Sequence, residues 1–183
     1  MEPITASTSV PLSDERVPAF DELYREHRDR VFAWALRYGA GRVAWAEDLT
    51  HDVFLQLHRH LARLETDDLG GWLYRVTANT ALSRLRSEAS WLGRLTRLLS
   101  FRDDEGERPD DAFERKDDAA AALRTLHALP PKERMVISMA VLDGLSQREI
   151  ARTLRLSEGY VSKLLTRAWS RIRAAGWEVD HGP

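Results

Sequence analysis

The 183-residue sequence has no cysteine. Disulfides, thiolate nucleophiles and cysteine-based zinc sites are therefore excluded, and so is thiol redox sensing by the chain itself. No apolar run is long enough to cross a bilayer, and the opening MEPITASTSVPLSDERVP lacks the basic start and hydrophobic stretch of a secretory signal. A cytoplasmic protein with no membrane insertion is expected. Also missing are a glycine-rich phosphate loop, HExxH, a G-x-S-x-G elbow and a kinase-type glycine loop. His51 and His58 stand seven residues apart, but Asp48, Asp52 and Leu55 around them make no metal-ligand spacing. No catalytic group, metal or cofactor is expected. Period-two alternation and fixed-length repeats are absent too, which leaves an all-α reading.

What is present is charge in blocks. The net charge is only −2, yet residues 72–102 carry six arginines against Glu88, and residues 145–175 carry seven cations against Glu149 and Glu158, +5 in each case. Between them, residues 103–118 carry nine acids against three cations. Fields act locally, so two basic modules flanking an acidic connector matter more than the total. A disordered acidic linker also needs no function of its own. Gly106 and Pro109 within that connector mark a boundary.

The opening Ser/Thr/Pro-rich tail, residues 1–18, shows no periodicity and is expected to be disordered. From Phe20 a helical face of Leu23, Tyr24, Val31, Phe32 and Ala35 runs to a break at Gly39-Ala40-Gly41. A second helix is predicted from Val43 to Leu64, with Trp45, Leu49, Val53, Leu57 and Leu61 facing a core. Glu47 and Asp48 near its start suit the helix dipole. After Gly70-Gly71 a third helix, WLYRVTANTALSRLRSEAS, turns Trp72, Leu73, Val76 and Thr80 inward and leaves Asn79, Arg84 and Arg86 for solvent or a ligand. An asparagine inside a helix carries a mild penalty, so Asn79 needs a reason, of which a packing hydrogen bond is the plainest. Trp91 to Leu99 continues as an amphipathic segment, read either as a helical extension or as a docking strip. Helical patterns resume near Ala119, with Pro130-Pro131 opening a further helix that Gly144 ends.

The stretch LSQREIARTLRLSEGYVSKLLTRAWSRIR, residues 145–173, reads as a helix-turn-helix. Ser146 and Glu149 make a capping box, and Ile150, Ala151 and Leu154 share one face. Ser157 caps a second helix whose inward stripe is Val161, Leu165, Ala168 and Ile172. Ser162, Lys163, Thr166, Arg167, Ser170, Arg171 and Arg173 lie outside it, cations and small hydroxyls suited to phosphates and major-groove edges. By itself this is also the solvated face of an ordinary helical hairpin.

With these pieces placed, the chain resembles the extracytoplasmic-function (ECF) sigma factors of the sigma-70 family. AEDLTHDVFLQL (46–57) is similar to the family's core-binding helix, WLYRVTANTALSRLR (72–86) to its promoter-melting helix, and residues 129–165 to its sigma-four signature. The resemblance implies two small all-α domains, a sigma-two-like bundle (19–90) and a sigma-four-like helix-turn-helix (119–176), joined by a flexible acidic linker (91–118) and followed by a tail (177–183). It implies core RNA polymerase binding through Glu47, Asp48 and Asp52. It implies minus-ten recognition and melting through Asn79, at the position that holds an extruded base, with Arg84 and Arg86 on phosphates. It implies minus-thirty-five recognition through Arg148, Ser162, Lys163, Thr166, Arg167 and Arg171. The implied partners are core polymerase, promoter DNA, and an anti-sigma factor or a Ser/Thr kinase.

The sequence also departs from the pattern. Ser162, Leu164 and Trp169 stand where the family is usually basic, Trp45 where an aspartate is common, and Thr50 where an aliphatic is common. Leu164 either touches a thymine methyl or packs. Phosphorylation of Thr50 would add about −1.5 to −2 charge beside Asp48 and Asp52, although a plain helix threonine explains it as well. Two functions stay open: a promoter-specifying sigma factor, favoured by Asn79, Arg84 and Arg86, and a sigma mimic that titrates an anti-sigma factor, favoured by Leu164 and Trp169. A repressor or activator built on the helix-turn-helix alone leaves residues 20–90 without a role.

Overall fold

The computed structural model describes residues 16–61, 68–99 and 118–177, and the side chains of 20–61, 68–91 and 120–177. The tail before residue 16 and the acidic connector lie outside the described residues, as does the end of the chain from residue 178. Among the described residues there are seven α-helices and no strand: α1 (Arg16–Tyr38), α2 (Val43–His60), α3 (Leu69–Leu99), α4 (Asp118–Ala128), α5 (Pro131–Val141), α6 (Gln147–Leu154) and α7 (Glu158–Ala174).

The α1–α2 corner falls at the glycine break. Gly41 takes the left-handed φ of 75°, and a Cβ there would come within 2.9 Å of the His127 ring. Glycine is required on both counts. Helix α2 stops at His60, short of the expected Leu64, and residues 62–67 lie outside the described set. Helix α3 begins earlier than expected. Gly70 and Gly71, read as punctuation, sit inside its first turn, where Asp68 accepts the Gly71 N–H at 3.1 Å as a cap. A Cβ on Gly71 would fall 2.3 Å from the Asp68 carboxylate, so only glycine lets that cap close. The helix backbone then runs unbroken to Leu99, which makes 91–99 a helical extension. Its one interior glycine there, Gly93, costs only about 1 kcal/mol relative to alanine, too little to end it.

Helices α1, α2 and α3 enclose Val31, Val53, Phe54, Leu57, Leu69 and Leu73. The inward face of α3 is Leu73, Thr77, Ala78, Ala81, Leu82 and Leu85, while Trp72, Val76 and Thr80, expected inward, are only half-buried. A second apolar core is continuous from Tyr38, Leu49 and Ala81 to Met135, Ile150 and Leu165. The two helical units, expected as separate domains on a flexible tether, therefore share one core.

Polar anchors cross the same boundary. Arg134 on α5 is 4% exposed and donates from Nε and Nη2 to the Tyr38 carbonyl (3.2 and 3.0 Å) and from Nη1 to the carbonyls of His127 (3.1 Å) and Leu129 (2.8 Å). Tyr38 is the last residue of α1, so the guanidinium sits on the negative end of that helix's dipole. Burial first, and the like charge of Arg42 second, push its pKa down to about 10. Beyond α5, Asp143 accepts from Arg37 Nη2 on α1 and from the Tyr74 hydroxyl on α3, both at 2.7 Å. Tyr38 donates to the Tyr74 oxygen at 3.4 Å. Burial raises the pKa of both phenols, which keeps them protonated as donors.

Candidate nucleic-acid and polymerase interface

The helix-turn-helix forms as its caps require. Ser146 Oγ accepts the Glu149 N–H at 3.3 Å and Glu149 Oε2 accepts the Ser146 N–H at 2.8 Å, completing the box. The Ser146 hydroxyl and backbone N–H hold the Glu149 carboxyl below its ordinary pKa. Arg155, at φ 53°, turns the chain, and Ser157 Oγ accepts from the Tyr160 N–H at 3.3 Å to start α7. The buried seam is Ile150, Ala151, Leu154, Val161, Leu164, Leu165 and Ala168. Leu164, at 3% exposure, belongs to that seam and is not available to a thymine methyl.

The other expected groove residues divide. Lys163, Thr166 and Arg167 are exposed, and the two cations carry no ion pair among the described residues. Ser162 is half-buried, and its carbonyl accepts from the Thr166 hydroxyl at 3.0 Å. Arg148 pairs with Glu158 at 3.3 Å on the surface. Arg171 pairs at 3.0 Å with Glu133, a buried acid of α5, which gives it a structural partner. Trp169 is half-buried and lines an apolar groove of about 500 Å³ with Leu123, Val141, Leu142 and Trp177. That groove is lined from α4, α5 and α7 together, an arrangement that the local pattern of residues does not specify.

On the first unit, Glu47 and Asp48 are exposed on α2, as an electrostatic contact surface needs. Asp52 is half-buried and bound to Arg84, whose Nη2 also reaches the Asp48 carbonyl at 3.3 Å. Two residues expected to serve different partners thus hold each other across α2 and α3. Arg86 is exposed. Trp45 is buried in the core, and its Nε1 donates to Glu88 at 2.6 Å while Arg42 stacks 5.2 Å from its ring. The Thr50 hydroxyl donates to the Ala46 carbonyl at 2.7 Å and the residue is 5% exposed.

Asn79 is half-buried on α3. Its Nδ2 donates to the Arg75 carbonyl and to the Thr153 carbonyl of α6, each at 2.8 Å. A primary amide has two N–H donors, and both are engaged.

Residues 23–91 match the family model for sigma-70 region 2, and residues 125–174 match that for sigma-70 region 4. The chain is 31% identical over 163 residues to the ECF RNA polymerase sigma factor SigE of Mycolicibacterium smegmatis, covering 86% of this chain and 61% of that one. It is 29% identical over 152 residues to the ECF sigma factor BldN of Streptomyces coelicolor, covering 82% and 57%. It thus spans about three-fifths of the length of these two relatives. The RNA polymerase sigma-E factor of Streptomyces coelicolor is 29% identical over 155 residues, with 84% of each chain covered. Among solved structures, the sigma factor RpoE in complex with the anti-sigma factor NepR from Bartonella quintana aligns with a TM-score of 0.58 at 20% identity, over 86% of this chain and 96% of that one. CnrH in complex with the cytosolic domain of CnrY aligns at 0.51 and 24% identity, over 88% of each. At these identities the structural likeness speaks for the fold. With regions 2 and 4 matched in order and ECF sigma factors aligned over most of its length, the chain belongs to the ECF group of the sigma-70 family.

Proposed function

We propose that this chain is a promoter-specifying sigma factor that joins core RNA polymerase in the cytoplasm, reads a minus-thirty-five element with α7 and holds a melted minus-ten base at Asn79. It acts as a subunit and not as a catalyst. The observation that carries this reading is the pairing of a capped helix-turn-helix bearing exposed Lys163 and Arg167 with a region 2 unit that keeps an amide at Asn79. Exposed Glu47 and Asp48 supply the acidic contact for polymerase, with Asp52 reinforcing it by fixing Arg84 between the helices. Arg84 and Arg86 then stand near the melted strand, where cations contribute salt-dependent affinity without reading sequence. Among the described residues no helix is long and apolar enough to cross a membrane, in keeping with a partner in the cytoplasm.

Regulation belongs to the same reading. The sigma factor RpoE, whose fold this chain shares, was captured with the anti-sigma factor NepR, and a partner of that class fits the same reading here. Thr50 is the candidate for a kinase, since a phosphate there would stand beside the acidic face of α2. Because its hydroxyl is buried and bonded to the Ala46 carbonyl, modification would require that bond to break and the side chain to turn outward.

Transcription from genomic DNA with purified sigma-free core polymerase, with the starts sequenced, tests the proposal. Starts sharing two spaced elements are expected. An absence of specific starts from both unmodified and phosphorylated protein would contradict it. The sigma mimic is supported by Leu164, which is buried, and Trp169, which lines the apolar groove, since neither adds a cation to α7. It would be the outcome if an anti-sigma factor binds while core polymerase does not.

A further inference from the structure

Arg148 and Glu158 join the starts of the two helices of the helix-turn-helix. Glu158 is the first residue of α7 and Arg148 lies in the first turn of α6, and Arg148 Nε donates to Glu158 Oε1 at 3.3 Å. In helix-turn-helix proteins the N-terminal residues of the second helix meet base edges, while the first helix crosses the backbone. The pair therefore stands at the groove. Both side chains are largely exposed, at 74% for Arg148 and 58% for Glu158, so as an ion pair alone it contributes little to stability.

The acid is out of keeping with its helix. Every other charged residue of α7, namely Lys163, Arg167, Arg171 and Arg173, is a cation, as a surface that approaches phosphates requires. An acid suits the positive end of a helix dipole, but so would a DNA phosphate, and the two compete. Against DNA a carboxylate is favourable only where it meets a donor. In the major groove guanine presents two acceptors, thymine an acceptor and a methyl group, and adenine a donor beside an acceptor, whereas cytosine presents its N4 amino group with no acceptor. Gly159 follows, and nothing lies within 4 Å of where its Cβ would stand. Packing within the described residues does not demand glycine there, while the missing side chain lets a groove wall come close to the Glu158 carboxylate.

We propose that Glu158 is a specificity residue: its carboxylate, fixed by Arg148, accepts from the N4 amino group of a cytosine in the upstream element and rejects the other three bases at that position. This rests on reading α7 as the reader of that element. Arg148 is then a positioning residue. A guanidinium has five N–H donors and the pair uses one, so the others turn to the neighbouring phosphate and bridge carboxylate and DNA backbone. Base reading falls to α7 and the setting of register to α6.

Transcription by holoenzymes from a promoter library randomised in the upstream element, with the transcripts sequenced, tests the assignment. Wild type should favour cytosine at one position by about fivefold or more over each other base. Glu158→Gln should move that single position to adenine, because glutamine matches the N6 and N7 edge, and Glu158→Ala should flatten it to within about twofold. The other positions should keep their preferences. Arg148→Ala should narrow the cytosine preference. In holoenzyme binding to the selected promoter, Arg148→Ala should also reduce the slope of log affinity against log salt by about one phosphate contact, a slope that a surface ion pair without DNA contact would leave unmoved. Identical base preferences in wild type, Glu158→Gln and Glu158→Ala would overturn the proposal, and so would a responding position that prefers a base other than cytosine. A wild-type library with no upstream preference would remove the reading of α7 itself, whereas a clear upstream element indifferent to Glu158 removes only the cytosine assignment.

Discussion

Arg84 on α3 and Asp52 on α2 form an ion pair that staples the two helices meant for DNA and for polymerase. Both side chains are partly solvated, so the expected coupling is modest. A double-mutant cycle with Asp52→Ala and Arg84→Ala, read by urea unfolding, should give about 0.5–1 kcal/mol. Asp52→Ala should also lower polymerase affinity less than Glu47→Lys combined with Asp48→Lys, because those two acids face outward. Equal losses would place Asp52 in the contact itself.

Leu164 is a core residue of the helix-turn-helix, not the cation that the family resemblance implies. Leu164→Ala should destabilise region 4 by about 2–4 kcal/mol, within the range for buried leucines. Leu164→Arg should cost more, since it adds a buried unpaired charge. Thermal unfolding checks both. A stable Leu164→Arg protein with stronger DNA binding would show instead that the position faces the groove.

The fold was legible where local chemistry decides it. The capping box at Ser146 and Glu149, the Gly39–Gly41 break and the inward stripe of α7 are all written in spacings of three and four residues. The docking of the two units was not legible, because it depends on residues far apart in sequence. Arg134 reads as a surface cation in its own helix and becomes buried only when the end of α1 arrives above it. Asp143 gives no sign of its two distant donors. Asn79 inside a helix asks for a compensating contact, and the packing hydrogen bond to the Thr153 carbonyl supplies it.

His127 gives that interface a pH dependence. Burial first, and Arg134 second, hold its pKa below the ordinary value, so the folded chain prefers the neutral ring. The unfolded chain takes up the proton at its higher pKa of about 6.5. Stability from this site is therefore complete above that value and declines as pH falls through the window between the unfolded and folded pKa. Comparing urea midpoints of wild type and His127→Asn at pH 7.5 and 5.5 should show a steeper acid loss in wild type. Parallel losses would remove His127 as the source.

Thr50 makes opposite predictions for stability and for partner binding. Thr50→Glu should lower the melting temperature, because a carboxylate replaces a buried, bonded hydroxyl. Thr50→Ala should lower it far less. Phosphorylated protein should bind core polymerase more tightly than Thr50→Ala, and equal affinities would eliminate the kinase switch.

The role of Asn79 is tested most directly by permanganate footprinting of melted thymines on a mapped promoter, with holoenzymes carrying wild type or Asn79→Ala. Core binding should stay within about twofold, while thymine reactivity should fall at least tenfold, the loss of about 1.4 kcal/mol or more expected when a positioned amide no longer holds an extruded base. Equal loss of core binding and opening, or undiminished reactivity in Asn79→Ala, would contradict it.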